Sequence, residues 1–112
     1  MGAGGHAAYP AVKFIVGHIT SICAAGGEDY LELAGERRNV FLDLASSVIL
    51  PGMLERITEK AGVEKVLFGT DFPFVEAAVQ LGSVLWAEIS EASKVKIFGA
   101  NMAKILGLPE SI

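Results

Sequence analysis

An α/β fold of order βαβαβα, made of parallel strand-helix units, is predicted by three features of the sequence. Residues 12–17, 40–44 and 66–69 are short apolar runs without polar alternation, the pattern of strands in a parallel sheet covered by helices. Each is followed by a stretch with helical spacing, which makes right-handed crossovers the default connection. The units are about 25 residues long, close to the roughly 30 residues per unit of a TIM-type (β/α)8 barrel. Three units cannot close such a barrel, and three parallel strands leave two unpaired edges and an apolar inner face. The 112 residues therefore read as a single partial-barrel unit, either a piece of a longer protein or a chain that self-associates to cover that face.

Residues 1–8, MGAGGHAA, read as a flexible terminus. No strand precedes them and their spacing departs from a G-x-G-x-x-G phosphate loop, so His6 is expected to be solvated. The first strand runs through AVKFIVG and closes on His18. Its helix begins after Gly26-Gly27, carries Glu28 and Asp29 in the first turn, and ends with Arg37 and Arg38, complementing the helix dipole at both ends. Tyr30, Leu31 and Ala34 form its buried stripe. The second helix opens at Pro51, buries Met53, Leu54, Ile57 and Ala61, and is stopped by Gly62. After Pro73, residues 75–89 read as helical, with Gly82 as a break and Trp86 as a core anchor beside Val79, Leu85 and Ile89. A last helical stretch, 91–106, is interrupted near residues 99–101.

An apolar fraction of 52% with 20% charged residues supports a core and excludes disorder. The net charge is −4 and the nine Lys and Arg residues are scattered along the chain. Nucleic acid is therefore not an expected partner, because a phosphate backbone needs clustered cations. Apolar runs break well before the roughly 18 residues of a membrane span, so no membrane partner is expected either. The N-terminus lacks the basic flank and apolar segment of a secretory signal, which points to a cytoplasmic location. Cys23 stands alone; it cannot form an internal disulfide and reads as a small packed hydrophobe.

The tract KVLFGTDFPF runs an apolar strand into Asp71 and then into a strand-stopping proline. Parallel α/β folds keep ligands and catalytic groups at the carboxyl ends of strands, and His18 closes its own strand in the same way. A carboxylate and an imidazole at adjacent strand ends suit acid/base chemistry or a divalent metal, since both ligate metals and both move protons. The plainer readings are a structural histidine and a turn-forming aspartate that bonds nearby amides. Asp43, inside the apolar run NVFLDLASS, is expected to face a polar crevice or to be hydrogen-bonded in a supporting role. Ser46 and Ser47 follow as substrate contacts at most, because no G-x-S-x-G signature accompanies them.

YPAVKFIVGH, NVFLDLASS, GVEKVLFGTDFPF and KVKIFGANMAKILGL together resemble the last three strand-helix units of the metal-dependent amidohydrolase superfamily, in its amidohydrolase-related branch of hydrolases and decarboxylases. The resemblance spans residues 9–108. It implies a (β/α)-barrel enzyme with one divalent metal, often zinc, acting on a small-molecule substrate. Asp71 matches the aspartate that ends the family's last strand and ligates the metal. His18 resembles the histidine that serves as acid/base, substrate-orienting group or, in some members, ligand. The family's His-x-His pair on the first strand has no counterpart among the chain's two histidines. The expectation is thus a C-terminal portion of such an enzyme, with His18 and Asp71 as catalytic and metal-binding residues and no metal held by this chain alone. The alternative is an inactive, self-associating structural or binding module with a vestigial site. In a third arrangement, paired chains share one site at a homo-oligomeric interface.

Overall fold

Three strands, β1 (Phe14–Val16), β2 (Val40–Asp43) and β3 (Val66–Leu67), form one parallel sheet in the order β1-β2-β3. The computed structural model describes residues 5–46, 48 and 50–109. Ile15 pairs with Phe41, Val16 with Leu42, Leu42 with Val66 and Asp43 with Leu67. Because side chains alternate along a strand, this register puts Phe14, Val16, Val40, Leu42 and Val66 on one face, and Ile15, Phe41, Asp43 and Leu67 on the other. The first face is the core, where Val16, Val40, Leu42 and Val66 pack with buried Ile19, Leu31, Ile57, Val84 and Ile97. On the second, Leu67 is 1% exposed while Asp43 is half-buried. Ile15 is 46% exposed there, and Phe41 lies half-buried beneath the Lys65 ammonium, 5.3 Å from its ring centre. The expected parallel strand-helix units of a partial barrel are what forms.

The helices follow the expected order with several shifts. Helix α1 (Gly5–Ala8) occupies part of the segment expected to be flexible, and His6 within it is 4% exposed rather than solvated. The cause is Asn39, whose amide donates to the carbonyls of His6, Tyr9 and Val12 and ties this segment to the start of β2. A short helix α2 (Ile19–Ala24) precedes the expected one, burying Ile19, Thr20 and Cys23. Helix α3 (Asp29–Glu36) buries Leu31 and Ala34, with Tyr30 half-buried. Helix α4 (Met53–Ala61) buries Leu54, Ile57 and Ala61 and stops at Gly62, whose φ of 93° suits glycine.

Helix α5 (Ala77–Leu85) passes through Gly82 without breaking. A single glycine costs about 1 kcal/mol in a helix, which packing of its neighbours can outweigh. Its inward face is Gln80, Val84 and the following Ala87, at helical spacing, so Trp86 points outward at 87% exposure instead of anchoring the core. Helix α6 (Glu91–Val95) and helix α7 (Asn101–Ile105) are joined by a π-helical turn, Lys96–Ala100, which is the interruption expected near residues 99–101. Buried Asn101 donates from its amide to Val63 O (2.7 Å) and Val66 O (2.8 Å), fastening α7 to the start of β3. No helix among the described residues is long and apolar enough to cross a membrane.

Candidate active site

His18 and Asp71 both lie just past the carboxyl ends of parallel strands, His18 two residues beyond β1 and Asp71 four beyond β3. They are also the two non-glycine residues with positive φ among those described, at 55° and 63°. The left-handed conformation disfavours an L side chain, so its presence at both candidate positions means the surrounding structure imposes it. At Asp71 the backbone carbonyl accepts from Phe74 N (2.9 Å) and Val75 N (3.2 Å), closing the turn that follows. The Asp71 carboxylate is half-buried and makes no hydrogen bond to the described residues.

His18 is exposed, and its Nδ1 bonds the carbonyl of Ala45 just past β2. A carbonyl only accepts, so Nδ1 carries the proton. In the neutral ring, Nε2 is then left with its lone pair available for a proton or a cation. Histidines that ligate metals are commonly oriented in this way, through the other ring nitrogen.

The sheet order corrects one expectation. The strands that end near His18 and Asp71 are not neighbours, because β2 lies between them. With strands about 4.8 Å apart, the two backbones are separated by about 10 Å. That spacing suits side chains reaching toward a shared ion or substrate better than direct contact. Between them stands Asp43, whose Oδ1 accepts from Ala45 N at 3.1 Å, the supporting role expected of it. Gly69 makes room for this carboxylate: a Cβ there would sit 2.5 Å from Asp43 Oδ1 and 2.9 Å from Ala45 Cβ.

Behind β2 is a polar cluster that the sequence did not mark. Ser46, 1% exposed, shares a 2.6 Å hydroxyl contact with Ser21 and accepts from Val48 N at 3.0 Å. Its carbonyl accepts from the buried amide of Gln80. Ser46 thus anchors the backbone that holds His18; Ser47 lies outside the described residues. Gln80 was hidden because a glutamine in an apolar helix reads as its exposed face. Cys23 is buried as expected, and burial raises its thiol pKa, which disfavours the nucleophilic thiolate.

His18 and Asp71 are donors that zinc, manganese and similar ions accept. Among the described residues, however, no three His, Cys, Asp or Glu side chains gather closely enough to hold a metal ion. The donor types fit a divalent metal and the donor number does not complete its shell.

Parallel strand-helix units with their candidate chemistry at the strand carboxyl ends define a segment of a (β/α)-barrel protein. A family model described as amidohydrolase matches residues 6–108, and the chain belongs to the amidohydrolase family. Comparison with curated proteins gives no match. Among solved structures, the chain is similar to a dihydroxybenzoic acid decarboxylase from Polaromonas sp. JS666 with bound manganese and the inhibitor 2-nitroresorcinol. The TM-score is 0.75 at 20% identity, over 97% of this chain and 38% of that one. A 5-carboxyvanillate decarboxylase from Sphingomonas paucimobilis gives 0.70 at 21% identity, over 96% and 37%. A zinc-bound amidohydrolase from Burkholderia multivorans gives 0.69 at 18% identity, over 96% and 48%. The chain thus spans less than half the length of these proteins, and at such identity the likeness shows the fold.

Proposed function

We propose that this chain is the C-terminal portion of a metal-dependent hydrolase or decarboxylase barrel acting on a small-molecule substrate, with His18 and Asp71 as its contribution to the active site. The observation that carries this reading is that both residues sit at strand carboxyl ends in an imposed left-handed conformation, with His18 held by Ala45 O so that Nε2 is available. Manganese and zinc in similar structures support a divalent ion without choosing one. When bound, such an ion acts as a Lewis acid on the substrate or on water. Asp71 supplies a carboxylate oxygen to hold it. His18 Nε2 takes a proton from water in hydrolysis or, having taken one from solvent, gives it to the carbon that loses carbon dioxide in decarboxylation. The exposed Ile15 face supports further strand-helix units completing the site.

Titration with Mn2+, followed by paramagnetic broadening of amide NMR signals, tests this. Weak binding that broadens residues around 17–19 and 70–72, and is lost in Asp71→Ala and His18→Ala, is expected. Among the described residues no three such donors converge, which is equally compatible with a second reading, a self-associating module with a vestigial site. Broadening that is absent, or unchanged in both variants, would support that reading instead.

A further inference from the structure

The nine Lys and Arg residues are scattered in sequence but not in space. Five of them, Lys13, Arg37, Arg38, Lys65 and Lys104, line two cavities at the amino-terminal end of the sheet, opposite the end that holds His18 and Asp71. The topology explains the gathering. Lys13 and Lys65 immediately precede β1 and β3, and Arg37 and Arg38 closely precede β2, so parallel strands bring them to one side. The two cavities, about 550 Å3 and about 410 Å3, share Lys13 and Arg38 as a common wall.

In the larger cavity Lys13, Arg37 and Arg38 face one carboxylate, Glu36. None of the three cations forms an ion pair among the described residues, where the salt bridges use Arg56, Lys60, Lys94 and Lys96. Lys65 by contrast is already engaged, donating to the carbonyls of Ala34, Arg37 and Val40. The wall also includes His6, which is buried with neither ring nitrogen bonded to a described residue. An unpaired buried imidazole is unfavourable, and an oxygen entering the cavity would accept a hydrogen bond from its ring N–H. The size is that of a small-molecule site. Planar guanidinium groups match the oxygens of phosphate and carboxylate.

We infer that this cavity binds a small dianion, bearing phosphate or carboxylate groups, through Lys13, Arg37 and Arg38 with His6 at its inner wall. The site is separate from the proposed active site and stands whether or not the chain is catalytic. The test is a titration of the 112-residue chain with inorganic phosphate, and in a second arm with citrate, at constant ionic strength under amide NMR. Saturable shifts in residues 6–13 and 36–39, without shifts at 18 and 71, are expected, and the tighter arm names the ligand class. Lys13→Gln and Arg38→Gln, both at exposed positions, should each weaken binding about tenfold, the loss of one charge-assisted contact. No saturable shift in either arm, or binding unchanged in both variants, would overturn the inference.

Discussion

Replacing Asp71 by glycine and by alanine separates the backbone conformation at this position from the carboxylate it carries. At φ 63° an L residue stands in the left-handed region, at a cost of about 1–2 kcal/mol. Glycine removes that cost but brings about 0.5–1 kcal/mol of extra chain entropy to the unfolded state. Alanine keeps the Cβ and with it the cost. Asp71→Gly should therefore be about as stable as the parent or slightly more stable, and Asp71→Ala less stable than Asp71→Gly by about 1 kcal/mol. The control is Glu59, exposed in α4. There the order reverses, with alanine favoured over glycine by about 1 kcal/mol. Urea denaturation followed by circular dichroism measures all four variants. If alanine equals or exceeds glycine at position 71, as it should at 59, the left-handed turn is not imposed by the fold, and the argument linking it to the site fails.

Three further outcomes are expected. Gly69→Ala should destabilise by about 1–3 kcal/mol, since its Cβ would meet Asp43 Oδ1 at 2.5 Å; a thermal melt unchanged from the parent would contradict the close approach. Ile57→Ala, at a fully buried α4 position, should cost about 2–5 kcal/mol in denaturant titration, and a loss below 1 kcal/mol would mean the α4 face is not core. Glu64 has its carboxyl pKa lowered from the ordinary 4.5, chiefly by a bond to its own backbone amide and next by Lys96. A depressed folded-state pKa means the charged form is the stabilising one, so its contribution is present above pH 4.5 and is lost as pH falls through the folded value. Glu64→Gln should flatten that part of the acid limb of stability against pH, and an identical limb in the variant would refute the assignment.

Periodicity and punctuation make the scaffold legible in the sequence. Strands without polar alternation, amphipathic helices, Gly62 as a stop and Asp71 before Pro73 are local signals, and local signals survive in a sequence because each depends on a few neighbouring residues. The same reasoning placed His18 and Asp71 at strand ends. It failed where burial depends on what another element offers. Trp86 lies outside rather than in the core, and Gln80 inside, where Ser46 O, 34 residues away, gives the glutamine amide a partner. His6 is drawn in by Asn39, a residue with no local reason to reach back to it. Strand order decided that Asp43 and β2 stand between His18 and Asp71, and the parallel strands also gathered Lys13, Arg37, Arg38 and Lys65 onto one end of the sheet. The sequence by itself thus determined the strands, the main helices, their order and the residues able to carry chemistry. Which of those residues face one another only the tertiary structure decided, because pairing across a parallel sheet joins segments that are separated along the chain and share no local signal.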